Sequence, residues 1–231
     1  MHKLLDTKYK GLLVDLDDTL LDFTKSEALS LNTTHKQFYH EIISEADFLS
    51  TFHTINSQLW QDLEVGKVTP QEVSSQRFAL LNKSVRSSVL SQDVVAFYAD
   101  QLIKNSFWLP GAEDAIKTLK ERFKICVVTN GFSNVQRGKH KLYNMEDWAE
   151  SFIVSEEVGV SKPHKDIFDI ALKSCGLLPH QVLMIGNSLT SDYQGAINAG
   201  LDFCWVKIPD IDLPKEFLTP AYSVMSITEL V

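Results

Sequence analysis

Seven polar residues carry most of the chemistry open to this chain: Asp15, Asp17, Thr129, Asn130, Lys162, Asn187 and Asp192. The first two lie within the run Leu12-Leu-Val-Asp-Leu-Asp-Asp-Thr-Leu-Leu21. Carboxylates spaced this closely repel one another, by roughly 4 kcal/mol per pair at about 4 Å and an effective dielectric of about 20, and a divalent cation relieves that repulsion. The residue types suit phosphoryl transfer. One carboxylate attacks phosphorus and a second protonates the leaving alkoxide, while a metal with a lysine neutralises the equatorial oxygens. A hydroxyl and the backbone N–H that follows it, here Thr129 and Asn130, hold the phosphate still. The expected path is an aspartyl-phosphate on Asp15 that water then hydrolyses, with Asp17 serving first as acid and then as base.

Such residues must be brought together by elements far apart in the chain. Three aliphatic residues before Asp15 read as a buried strand of a parallel sheet, and strand alternation turns Asp15 and Asp17 to one crevice while Leu16 returns to the core. After Leu21 the period becomes helical for some eighty residues. Ala28, Leu31, His35, Phe38 and Ile42 form one apolar stripe, and further helices are predicted from Glu45 to Leu63, Pro70 to Leu81 and Ser91 to Asn105. His35 reads as packing within this block, since its spacing to His40 does not suit a metal. From Leu109 strands and helices alternate, with strands ending at Thr129, Ser155, Ile185 and Val206 and a possible edge strand near Tyr222 to Val224. The polar clusters fall at or beside these strand ends, on the edge where open α/β sheets bind ligands. The predicted fold is therefore α/β, a Rossmann-like, mostly parallel sheet formed by residues 1–21 and 107–231, with an all-helical cap inserted over 22–106.

Composition narrows the partners. With 231 residues, 44% of them hydrophobic, the chain can bury a sizeable core, and a net charge of −8 without a basic cluster argues against a nucleic-acid polymer. Three cysteines in apolar settings fit reduced thiols in a cytoplasm. No apolar run approaches the ~18 residues of a membrane span, and acids interrupt any N-terminal signal core, so a cytoplasmic location is expected. The oligomeric state is left open.

Four ordered phrases, Asp15-Leu-Asp-Asp-Thr19, Thr129-Asn-Gly131, Lys162-Pro163 and Gly186-Asn-Ser-Leu-Thr-Ser-Asp192, resemble the motifs of the haloacid dehalogenase (HAD) superfamily of phosphatases. The helical block matches that superfamily's cap. A narrower likeness, to the YjjG-type pyrimidine 5'-nucleotidases, lies in Leu59-Trp60, Gly66, Thr69, Arg77-Phe78, Asn130-Gly-Phe132, Ser155-Glu-Glu-Val-Gly159, Ile197-Asn-Ala-Gly200 and Cys204-Trp205. The resemblance implies a magnesium-dependent hydrolase of pyrimidine nucleoside monophosphates. It further implies metal ligation by Asp15, Asp17, Asn187 and Asp192, and phosphate binding by Thr129, Asn130 and Lys162. Phe23 and Phe132 flank the motifs, and one of them is expected to contact the base. One departure stands out: the family's fourth motif opens with aspartate where this chain has Asn187, which removes a negative charge from the metal site.

Other readings compete. A broad sugar-phosphate phosphatase shares the same motifs, and a non-catalytic nucleotide binder would follow if Asn187 abolished turnover. A 2-haloacid dehalogenase has no use for the proton of Asp17, because a halide leaves unprotonated. A phosphorylated receiver module would be about half this length and would lack the helical insertion.

Overall fold

A computed structural model describes residues 7–207, 212–215 and 217–231. The elements run β1 (Gly11–Val14), α1 (Phe23–Phe38), α2 (Glu45–Glu64), α3 (Pro70–Val85), α4 (Ser91–Lys104), α5 (Ala112–Leu119), β2 (Lys124–Thr129), α6 (Ser133–Leu142), β3 (Ser151–Val154), α7 (Lys165–Cys175), β4 (Val182–Gly186), α8 (Gln194–Ala199), β5 (Asp202–Val206) and β6 (Tyr222–Val224). They form two compact units. One comprises Met1–Asp22, Phe107–Asn130 and His140–Val231; the other comprises Phe23–Ser106 and Gly131–Lys139.

The first unit is built on a six-stranded sheet in the order β3-β2-β1-β4-β5-β6, with every neighbouring pair parallel. β1 lies inside it, Val14 pairing with Val127 on one side and Ile185 on the other. Both faces are covered, which is why its strands read as unbroken apolar runs. Leu12, Val14 and Leu16 enter one core with Ala115, Ile116 and Leu119 of α5. Leu13 enters the opposite core with Ile167 and Phe168 of α7 and Ala196 of α8. Alternation thus continues through Leu16, and Asp15 falls on the second face. β6 adds the edge strand expected near Tyr222.

The second unit has its own core of Phe48, Phe52, Phe78, Leu81 and Tyr98. Thr69, Pro70 and Glu72 form a capping box that starts α3, as the sequence pattern requires. Two features depart from expectation. Ala28 is exposed, and Ile42 is 42% exposed and lies beyond the end of α1, so neither belongs to a buried stripe. The buried face of α1 instead consists of Ser26, Ser30, Leu31, Thr34 and His35. Its hydroxyls satisfy themselves: Ser30 Oγ donates to Ser26 O and Thr34 Oγ1 to Ser30 O, each at 2.7 Å. His35 binds Ile43 O at 2.8 Å and packs on the Phe48 ring. Second, Gly131–Lys139, counted with the α/β core on sequence grounds, groups with the helices. Phe132 and Val135 are buried in that unit's apolar core.

Candidate active site

β1 delivers Asp15. Its backbone N–H donates to Ile185 O at 2.9 Å, extending the ladder one residue past the strand, and the chain then coils on itself. Leu20 and Leu21 N–H both donate to Leu16 O, and Asp18 N–H donates to Leu21 O at 2.7 Å. Asp18 closes this loop with φ of 58°, a left-handed conformation that aspartate tolerates better than most residues. That conformational role accounts for the second aspartate of the Asp-Asp pair. Asp17 is half-buried beside it, and its charge bears on Asp15.

Asp15 is 6% exposed and takes an ammonium on one oxygen and a hydroxyl on the other. Lys162 Nζ reaches Asp15 Oδ1 at 2.5 Å, and Thr19 Oγ1 lies 3.2 Å from Oδ2. Lys162 also donates to Asp192 Oδ1 at 2.7 Å and to Val128 O at 2.9 Å. All three ammonium protons are engaged. Its pKa is pushed up to about 12: burial lowers it, but the two carboxylates outweigh burial, so the lysine stays charged. Asp15 is raised to about 7 by burial first and the Asp192 charge second, against the pull of Lys162. Two acids and one base leave a net negative charge enclosed in protein. Lys162 itself is aimed by Asn130, whose amide accepts from Lys162 N–H and donates to Lys162 O, both at 2.9 Å.

β4 supplies the remaining groups. Gly186 is there of necessity, because a Cβ at that position would lie 2.3 Å from Asp192 Oδ2. Asp192 sits in a π-turn, Leu189–Tyr193, that leads into α8; the wide turn carries its side chain fully inward. Its second oxygen accepts from Ser188 N–H at 3.0 Å. With both oxygens engaged and no exposed surface, Asp192 is a partner of Lys162. As a metal ligand, the role the sequence also implied for it, Asp192 would share an oxygen already held by Lys162 or by Ser188 N–H. Asn187 is half-buried, its backbone carbonyl held by Trp205 Nε1 at 3.0 Å, and its Oδ1 lies 3.4 Å from Thr19 Oγ1.

Thr19 was not singled out from the sequence, although it stands four residues after Asp15. Its single hydroxyl proton faces both Asp15 Oδ2 and Asn187 Oδ1 and satisfies only one of them at a time. Two hard oxygens that converge with a proton too few, in a pocket of excess negative charge, suit a magnesium ion, which binds through one or two carboxylates and keeps several waters. Among the described residues no group of three His, Cys, Asp or Glu side chains forms a metal cluster, in keeping with Asn187 in place of an acid. Thr129, at the end of β2, is 1% exposed. The other two residues singled out, Phe23 and Phe132, lie in the helical unit, where Lys139 Nζ stands 5.2 Å from the Phe23 ring and Trp60 packs on Phe132 at 5.7 Å.

The family profile of haloacid dehalogenase-like hydrolases matches residues 9–200, taking in all four motif clusters. The chain is a haloacid dehalogenase-like hydrolase. Among its relatives this hydrolase is 33% identical to the HAD-hydrolase YfnB of Bacillus subtilis over 96% of this chain and 94% of that one. The crystal structure of YfnB bound to magnesium superposes with a TM-score of 0.83 at 32% identity, covering 96% of this chain and 97% of the other. Two further relatives, each 30% identical, are the pyrimidine 5'-nucleotidases YjjG of Escherichia coli and PynA of Streptococcus pneumoniae. The alignments cover 96% of this chain in both cases, and 96% and 93% of the relatives respectively. Among the described residues of this hydrolase no helix is long and apolar enough to cross a membrane.

Proposed function

We propose that the protein is a magnesium-dependent phosphomonoesterase acting on pyrimidine nucleoside 5'-monophosphates. The observation that carries the reaction type is the buried carboxylate of Asp15, fixed between the Lys162 ammonium and the Thr19 hydroxyl at the carboxyl edge of a parallel sheet. Support for the substrate comes from the two nucleotidase relatives, and a sugar-phosphate phosphatase is the alternative that a substrate panel separates.

Asp15 attacks phosphorus, forming an aspartyl P–O bond as the ester P–O bond breaks. Asp17 gives its proton to the departing 5'-oxygen, and the nucleoside leaves. Water then attacks the phosphoryl group while Asp17 takes up its proton, and inorganic phosphate departs from a regenerated Asp15. Lys162 contributes charge and fixes Asp15, because a direct bond to phosphate would require it to release one of its three partners. The side chain of Asn130 serves Lys162, so its part at the phosphate is its backbone amide, beside the Thr129 hydroxyl. Asp15, Asn187 and Asp17 through its backbone carbonyl would hold magnesium, which would neutralise the phosphoryl oxygens and keep Asp15 ionised, leaving the Asp17 carboxyl to carry the proton. Phe23 and Phe132 are proposed base contacts.

The deciding experiment is phosphate release from nucleoside monophosphates and sugar phosphates with magnesium. We expect pyrimidine nucleotides to be preferred, and Asp15→Asn to lower kcat by on the order of 10³-fold or more, as loss of a covalent nucleophile does. An Asp15→Asn enzyme that turns over like the parent defeats the mechanism.

A further inference from the structure

Among the side chains proposed to hold magnesium, Asn187 carries no charge. A carboxylate is drawn to a divalent cation from a distance, whereas a neutral amide oxygen ligates well only where the scaffold already holds it. What fixes Asn187 therefore decides how well it serves the ion.

The sheet itself stops just short of it. Gly186, the last residue of β4, pairs with Trp205 of β5, and the ladder between those strands ends there. Past that point the backbone of β5 turns to its other neighbour, Lys207 N–H donating to Val224 O at 2.8 Å. The donor that Asn187 O receives comes from a side chain instead, Trp205 Nε1 at 3.0 Å. An indole nitrogen only donates, so the sense of this bond is settled. Trp205 is 2% exposed and packed in the core that holds Phe168 and Leu172, and Lys207 Nζ stands 5.5 Å from the centre of its ring. The bond thus ties the main chain of Asn187 to the packed interior. Its amide oxygen is left 3.4 Å from the Thr19 hydroxyl that also faces Asp15 Oδ2.

We propose that Trp205 is a positioning residue for the cation, its indole N–H holding Asn187 O so that the uncharged amide is in place before magnesium arrives. The inference rests on the magnesium reading of the proposed function and extends it to a residue on a different strand. Groups that orient metal ligands from behind are typically worth 10–100-fold in metal affinity, and a ligand without charge of its own depends on them most.

The test is calorimetric magnesium binding to the parent, Trp205→Phe, Asn187→Asp and the double variant, with Leu172→Ala as the control for packing lost elsewhere in the same core. We expect Trp205→Phe to raise the magnesium Kd about tenfold in the parent and by less than about twofold beside Asn187→Asp, whose charge replaces the missing support. Leu172→Ala should leave the Kd unchanged. A parent-like Kd in a folded Trp205→Phe, an equal rise in both backgrounds, or a rise that Leu172→Ala reproduces overturns the proposal. If Trp205→Phe does not fold, the parent labelled with an NMR-active nitrogen isotope at its four indoles decides. One indole N–H resonance should shift saturably with magnesium and persist in Trp60→Phe, Trp108→Phe and Trp148→Phe; a response lost in one of these, or no response, refutes the role of Trp205. Should the parent bind magnesium but release phosphate from no monoester, the phosphatase reading fails and the binding data alone judge Trp205. A parent that releases phosphate but binds no magnesium sinks the proposal and leaves a phosphomonoesterase.

Discussion

Asn187 sets the charge of the site. An amide oxygen ligates a hard cation but brings no negative charge, so under the proposed function the site would hold magnesium through fewer anionic donors than an all-aspartate one. We expect Asn187→Asp to lower the magnesium concentration for half-maximal activity by about tenfold, a change of ~1.4 kcal/mol. Magnesium titrations of phosphate release by both proteins measure this, and an unchanged requirement would show that the amide costs nothing. Gly186 makes a sharper prediction. Its missing Cβ is where the Asp192 carboxylate lies, so Gly186→Ala forces Asp192 off Lys162 and leaves a buried charge poorly paired. The expected loss is about 3 kcal/mol, a fall in Tm of roughly 6–12 °C for a chain of this size, with kcat falling alongside. Thermal unfolding and steady-state rates test both arms. The meeting of Asp15 with Lys162 was legible because several polar clusters fall at or beside strand ends, and a parallel sheet gathers those ends on one edge. Thr19 and Gly186 were not, because a threonine or a glycine near a motif becomes informative only when the atoms it faces are known.

At the level of the element, α1 shows where periodicity misleads. Its inward face carries Ser26, Ser30 and Thr34, whose hydroxyls bond to the helix's own carbonyls or, for Ser26, to Leu102 O at 3.3 Å. Asn105 Nδ2 donates back to Ser30 Oγ at 3.2 Å. A hydrophobicity pattern sees a polar face there and looks elsewhere for the buried stripe, which is how Ala28 and Ile42 came to be expected inside. Small hydroxyl residues allow α1 and α4 to approach closely, so there is no space for branched side chains. Ser30→Leu, which a patterning rule would favour, is therefore expected to destabilise the protein by about 1–3 kcal/mol through overpacking. Denaturant unfolding checks this, and a stabilised variant would refute the account. The α/β elements were legible for the opposite reason: doubly covered parallel strands are simple apolar runs, and each ends at a polar cluster.

At the scale of the molecule, the two units have separate cores but share the chain through several crossings, at 22/23, 106/107, 130/131 and 139/140. The last two escaped the sequence because Gly131–Lys139 has no compositional break from the motif before it. Phe132 and Val135 find their apolar partners among the helices, so excising 23–106 and closing the gap with a short linker leaves both without cover. We expect such a protein to bind a hydrophobic dye strongly and to self-associate, and replacement of Phe132 and Val135 by serine to reverse this. A monomeric, dye-silent excision product would show that the segment needs no helical partner.

The interior position of β1 matters for biosynthesis. Val14 emerges from the ribosome early, yet its pairing partners are Val127 and Ile185, and at typical elongation rates the first of these follows only after roughly 6–20 s. Throughout that interval the strand that leads to Asp15 has no ladder to join, whereas the contacts among α1 to α4 are local and can form as they are made. The order of synthesis therefore delays the pairing of β1 until most of the chain exists, which makes the nascent Leu12-Leu-Val segment a natural client for a chaperone.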